Sequence, residues 1–346
     1  MKMSIRLSAL FVAFALAGCA SIGPNYQAPS PAPVTLLGVD KSQENMADFQ
    51  AAWWKQFNDP ILDTLIRRAA KNSPDLHIAI AHLAESRALL GGAKSAQISY
   101  IETQLGHSRS REQQPGFTTQ RTTITSYQAG FDASWELDVF GGVRRSVEAA
   151  DADLGASDAS LQDVQVSLFA EVARNYFDLR GTQLRLDVAR RDIENQQKTQ
   201  LLIRAQAEVG TGSEQDVASA SARLSAVEAQ LPSLQIQAHA QEFRLAVLLG
   251  ERPGELDIDL SPQSFHAIDT TIALGGADAV LARRPDVRIA ERRYAAATAR
   301  IGVARADYFP HISLGGFIGF LAVAPVISAM HRHVRGRSHR ASAGRV

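Results

Sequence analysis

Side chains able to do chemistry are few and scattered in this 346-residue chain. Its one thiol, Cys19, leaves no intrachain disulfide framework and no zinc site built on several thiolates. His77 and His82 stand five apart, which does not bring them squarely onto one helical face. His331, His333 and His339 could take up a metal ion adventitiously, but they share residues 321–346 with five arginines, and that segment reads as a basic disordered tail. There is no H-E-x-x-H, no G-x-S-x-G and no phosphate-binding loop. The pairs Gly91-Gly92 and Gly141-Gly142 fall at expected helix ends, where breakers belong. No enzyme, cofactor or metal centre is therefore expected. The 36 Lys+Arg are balanced by 36 Asp+Glu, which leaves no basic footprint for nucleic acid. What remains is the thiol of Cys19, a nucleophile that could carry a covalent modification.

The residues before Cys19 explain it. Lys2 and Arg6 precede an apolar run, Leu7 to Ala17, which is too short to span a bilayer where about 20 residues are needed. A basic start, a short apolar run and small residues at its end describe a secretory signal. Leu16-Ala17-Gly18-Cys19 resembles the bacterial lipobox, in which the cysteine thiol receives diacylglycerol and becomes the first mature residue. Several acyl chains together anchor a protein stably. By the same resemblance, Ala20 rather than Asp after the cysteine favours the outer membrane over retention in the inner one. Ser21 to Pro33 contains four prolines and no periodicity, so it reads as an extended tether.

An internal repeat organises the rest. Pro74-Asp75-Leu76-His77-Ile78-Ala79 recurs as Pro285-Asp286-Val287-Arg288-Ile289-Ala290, and the register continues from Gly91 to Gly302. Pro60 to Ile98 is helical in character, interrupted by Pro74. Strands are expected over Ser99–Arg109, Thr122–Val139 and His311–Phe320. In the second, Tyr127, Ala129, Phe131, Ala133, Trp135, Leu137 and Val139 alternate with Ser126, Gln128, Gly130, Asp132, Ser134, Glu136 and Asp138, giving one apolar and one wet face. That length exceeds an ordinary strand and suits a transmembrane barrel strand with Tyr127 to Leu137 toward lipid. Val143 to Val209 then forms one proline-free helix. Val147, Leu154, Leu161 and Leu168 are spaced by seven, as are Val172, Leu179, Leu186 and Ile193, with a four-residue stutter between the rows. A second heptad row, Val217, Leu224, Leu231, Ala238 and Leu245, follows a capping-box start at Ser213 and Asp216. Pro232 should kink that second helix. By length, it and the Pro60–Ile98 helices fit end to end along the long helix.

These residues together resemble the outer-membrane efflux proteins of the TolC-like family, in its lipid-anchored NodT/OprM branch. The resemblance rests on Cys19-Ala20-Ser21-Ile22-Gly23-Pro24-Asn25-Tyr26, Trp53-Trp54-Lys55-Gln56-Phe57-Asn58-Asp59-Pro60, Ser73-Pro74-Asp75-Leu76, Trp135-Glu136-Leu137-Asp138-Val139-Phe140-Gly141, Leu248-Leu249-Gly250 and Arg283-Arg284-Pro285-Asp286-Val287. It implies a mainly α fold with membrane β-strands: a long coiled-coil hairpin forming a periplasmic tunnel, and strands contributed to a shared transmembrane barrel. It also implies a homotrimer in outer-membrane lipid that acts as a passive exit duct. Such a duct works with a periplasmic adaptor and an inner-membrane pump of the RND type. Val209, Gly210 and Thr211 resemble the hairpin tip that meets the adaptor; by their residue types, the glycines here also serve simply to turn the chain. The division expected is a signal peptide (1–18), an anchor and tether (19–59) and a first repeat (60–282). Within that repeat lie a β-hairpin (99–139), a helical hairpin (143–249) and an equatorial segment (250–282). The start of a second repeat (283–320) and a basic tail unlike the family (321–346) complete it. The resemblance stops near Phe320, so a C-terminally truncated or frameshifted member is expected. The competing function is a non-conducting, lipid-anchored coiled-coil interaction protein of the periplasm.

Overall fold

The computed structural model describes residues 21–30, 52–113, 120–263 and 277–326. Cys19 and the histidines of the basic tail lie outside these residues. Asp59 opens the first helix: its carboxylate accepts the N–H groups of Ile61 and Leu62 at 2.9 and 3.1 Å, and Pro60 fills the first helical position, where its missing N–H is not needed. Helix α1 (Pro60–Asn72) stops before Pro74, which starts α2 (Pro74–Ser95). Strands β1 (Tyr100–Glu112) and β2 (Thr122–Leu137) follow. Then comes α3 (Gly142–Glu208), a single helix of 67 residues and so roughly 100 Å long. The chain returns through α4 (Glu214–Glu228) and α5 (Leu231–Leu248). The break between them falls at Pro232, as its lost N–H requires. Helices α6 (Ala277–Arg283) and α7 (Pro285–Ala306) lead into β3 (Ile312–Val326).

The duplication is visible in the helices. Both α2 and α7 have 22 residues, begin at Pro-Asp and keep the same sequence offset at both ends. They flank the first half of α3, while α4 and α5 run back along its second half. Where α5 ends, Gly250 adopts a φ of +72, and a Cβ there would lie 2.5 Å from the carbonyl of Asn72. The returning arm and the α1–α2 arm therefore meet end to end, as their lengths allow.

The main core forms at that junction. Leu62, Leu65, Ile66 and Ala69 of α1 pack with Leu168, Val172, Tyr176 and Leu179 of α3 and with Leu245, Leu248 and Leu249. Each buried Leu, Ile or Val among them contributes roughly 1.5–3 kcal/mol relative to exposure. Toward the sheet, the expected leucine row is replaced. Val147 and Leu154 are only half-buried, and the buried positions are Ala149, Ala152, Ala156 and Ala159. Opposite them stand Ala295, Ala296, Ala299 and Gly302 of α7. Here α3 lies between two helices, and small side chains let all three axes approach.

The sheet order is β1-β2-β3, antiparallel throughout. β3 runs six residues beyond the expected stop at Phe320, pairing Val326 with Thr123. Pro325 lies within that extension, on a strand that pairs on one side only among the described residues.

Candidate functional site

Directly opposed residues of an antiparallel ladder share a face. The face carrying Tyr127, Ala129, Phe131, Ala133, Trp135 and Leu137 therefore continues onto Ile101 and Leu105 of β1 and onto Ile312, Leu314, Ile318 and Phe320 of β3. It runs across three strands, interrupted on β1 by Thr103 and His107, and it is open: Leu105 is 80% exposed and Phe320 84%. A contiguous apolar surface of this kind marks a contact with membrane or partner. Trp135 stands near the base of the sheet, its indole N–H donating to the Gln97 carbonyl at 3.2 Å. Tyr127 stands eight residues higher, its ring 4.9 Å from that of His107. The opposite face carries Glu102, Gln104, Gln128, Asp132 and Glu136, with Gln128 donating to Gln104 at 2.8 Å. Tyr100, Ile124, Phe317, Leu321 and Val323 share this face and make it mixed rather than wholly wet; Phe317 lies over Gly130 and Gly319, where an added Cβ would come within 2.6 Å of its ring.

The sheet is mounted directly on the helices. Asp138, just past β2, accepts the backbone N–H groups of Val143 and Arg144 at 3.1 and 2.9 Å, satisfying the first turn of α3. Gly141 makes the corner at a φ of +82. At the foot of β3, His311 pairs with Glu136 at 2.8 Å. The carboxylate's hydrogen bond and charge, with a smaller contribution from Asp307, raise the imidazole pKa above its usual value.

Residues 21–30 contain no helix or strand, but they are docked rather than free. Ile22 donates to the Phe140 carbonyl at 3.1 Å. Arg145 is buried to 4% exposure; it donates to the carbonyls of Ile22 and Gly23 and, at 2.6 Å, to Asn25 Oδ1, while pairing with Glu148. Tyr26 donates to Glu291 at 2.7 Å and packs edge-on against Tyr294. The expected tether is thus a strap across α3 and α7, directly below the sheet. Its partners lie more than a hundred residues away, and an arginine in an exposed-looking helix turn gives no local signal of them.

At the far end of α3, the expected tip is a tight Schellman turn. Gly210 takes a φ of +77, its N–H donates to Ala207, and the N–H of Thr211 donates to Gln206 at 2.9 Å. Ser213 and Asp216 then cap α4 reciprocally, and the Ser213 hydrogen bonds hold the Asp216 carboxyl below its usual pKa. Val209 is 75% exposed. Gly212 needs no positive φ, so only Gly210 is a turn glycine in the strict sense.

Arg180 is a residue that heptad reasoning passes over. It is buried, lies over the Tyr176 ring at 5.0 Å, and donates to Gln183 and to the carbonyls of Leu260 and Ser261. The segment after α5 is thereby fastened to α3. Tyr176 donates to Asp59 at 2.5 Å, and burial together with that carboxylate pushes its pKa up to about 12. Among the described residues no cluster of His, Cys, Asp or Glu could hold a metal ion, and no helix is long and apolar enough to cross a membrane.

Comparison with known proteins agrees with this geometry. The family model for outer membrane efflux proteins matches residues 65–251. The pyoverdine export outer membrane protein OpmQ of Pseudomonas putida is 34% identical over 277 residues, covering 76% of this chain and 57% of that relative. The toluene efflux pump outer membrane protein TtgF, also of Pseudomonas putida, is 32% identical, covering 92% of this chain and 68% of its own length. The solved outer-membrane channel OprN superimposes with a TM-score of 0.82 at 39% identity, covering 88% of this chain and 72% of that one. The chain spans between about half and two thirds of the length of these curated relatives. With its long helical hairpin, duplicated helices and apolar-faced sheet, the chain belongs to the outer membrane efflux protein family.

Proposed function

We propose that this chain is the outer-membrane component of a tripartite efflux system, a passive exit duct for drugs or other small molecules. The observation that carries the reading is the three-stranded sheet, whose β2 alternates apolar on one face with polar on the other and whose apolar band from Tyr127 to Leu137 continues onto both neighbouring strands, set directly on a 67-residue helix. A barrel built from such sheets turns Tyr127, Ala129, Phe131, Ala133, Trp135 and Leu137 to lipid and the wet face to the lumen. Three copies share the barrel, and the helices extend into the periplasm as a tunnel. Cys19 carries the lipid anchor. Ser21, two residues further along the chain, lies beside Gly141 at the foot of the sheet, which supports this reading. Val209, Gly210 and Thr211 meet a periplasmic adaptor that links the duct to an inner-membrane pump of the RND type. The duct itself catalyses no reaction.

Planar-bilayer recording on the purified chain tests this. Discrete, stable conductance steps are expected. Intact trimers that never conduct would overturn the duct and leave a lipid-anchored periplasmic interaction protein in its place. A Thr211→Cys chain offers a single unmodified thiol once Cys19 is acylated. Cross-linking from that thiol to a co-expressed adaptor tests the tip separately.

A further inference from the structure

The outward face of the sheet does not remain apolar to its far end. Beyond His107 and Tyr127, β1 places Arg109 and Arg111 on that face, opposite Thr125 and Thr123 of β2, with Ala324 and Val326 of β3 on the other side. Both arginines are exposed. The acids of the three strands, Glu102, Glu112, Asp132 and Glu136, all hold register positions of the opposite face. Arg121, just before β2, adds a third exposed positive charge at the same end.

Height along the sheet decides what these charges meet. Trp135 lies ten residues down β2 from Thr125, the partner of Arg109. At about 3.3 Å per residue that is roughly 33 Å along the strand. A tilt of about 40° leaves roughly 25 Å along the membrane normal, the height of the outward apolar band in outer-membrane barrels. Trp135 and Arg109 thus mark its two borders, and Arg111 stands one step beyond. The Trp135 end joins the helices, so the arginine end belongs to the outer leaflet.

We propose that Arg109 and Arg111 form a docking surface for the phosphate groups of the bisphosphorylated glycolipid, lipid A, of the outer leaflet. This rests on the reading of the sheet as membrane-spanning. Guanidinium groups bind phosphate through paired, charge-assisted hydrogen bonds, and no carboxylate on this face competes for them. The apolar band directly below receives the acyl chains of the same lipid.

The test uses the full chain, purified in neutral detergent, with bound lipid counted by native mass spectrometry. Diphosphoryl lipid A is expected to bind, and an Arg109→Gln/Arg111→Gln chain should bind it roughly 10- to 30-fold more weakly. A phosphate-free acylated analogue should bind both chains weakly and alike, and inorganic phosphate should not displace the lipid. Equal binding by the two chains, or equal binding of the phosphate-free analogue, overturns the proposal. A parallel measurement reads the membrane sheet itself: brominated neutral lipid should quench wild-type tryptophan fluorescence, and Trp135→Phe should abolish that quenching. Quenching retained in the double-arginine variant, with lipid A binding lost, supports the phosphate site. No quenching in wild type overturns the membrane reading, and the phosphate site with it.

Discussion

Gly23 and Gly302 meet backbone against backbone: a Cβ placed on Gly23 would lie 2.6 Å from the Cα of Gly302, and Gly23 itself holds a φ of +107. The strap can therefore cross α7 here only without a side chain at position 23, while a Cβ on Gly302 would meet the Arg145 side chain that holds the strap, at 2.8 Å. Gly23→Ala meets both a backbone clash and a disfavoured φ, a cost of about 1–3 kcal/mol. The expected result is loss of amide protection over residues 21–30 with α3 unchanged by circular dichroism. A substituted strap as protected as the original would show that the contact does not hold it.

Arg180 is expected to control the segment after α5. Arg180→Met keeps the packing against Tyr176 but leaves the Leu260 carbonyl without its Arg180 donor and removes the only described donor to the Ser261 carbonyl. The Leu260 carbonyl keeps the Gln183 amide donor at 2.7 Å and Ser261 is open to water, so the loss is that of the arginine's hydrogen bonds themselves, roughly 1–3 kcal/mol in all. Thermal unfolding should shift down, and hydrogen exchange should quicken over residues 251–263 ahead of the rest of the chain. Uniform loss of protection would point instead to a general packing role.

Two glycines of α3 and its cap should respond in opposite directions. Gly181 lies mid-helix with nothing within 4 Å of an added Cβ. Gly181→Ala should therefore stabilise by about 0.5–1 kcal/mol. Gly210 holds a φ of +77, and Gly210→Ala should destabilise the tip by about 1–2 kcal/mol. Denaturant midpoints of both variants check the sign of each change.

The foot of the sheet should be sensitive to pH. The pKa of His311 is raised above the unfolded value of about 6.5, chiefly by the Glu136 hydrogen bond and charge. The pairing is therefore fully present below that unfolded value and is lost as pH rises through the folded one. An NMR titration should place the His311 midpoint above that of an unfolded reference, and Glu136→Gln should bring it down. Because the pair is exposed, the effect belongs to local strand order at β3's start and not to global stability.

Much of this architecture was legible because it is periodic. The alternation of Ser126 to Leu137 and the Ser213–Asp216 cap are local patterns, the offset linking Pro74 to Pro285 is a repeated one, and each forms where it reads. The alanine contacts of Ala152 and Ala296 were not legible, since small residues at a close helix crossing leave no hydropathy peak. Arg145 and Arg180 escaped for a related reason: a buried arginine has the same letter as a solvated one, and only distant carbonyls distinguish them. The length of β3 past Phe320 was hidden too. A strand can continue through Pro325 only where the missing N–H is not needed for pairing, and that is a property of the sheet.

The matched helices α2 and α7 carry one further consequence. Each is a ruler of 22 residues between a proline and the strand it delivers, β1 or β3. Inserting one residue into either would raise its strand by about 1.5 Å and swing it by about 100° around the helix axis. The apolar face of that strand would then no longer align with its neighbour's. The two copies can thus drift in composition, as His77 and Arg288 have, but not independently in length. Duplication here conserves phase more strictly than it conserves residues.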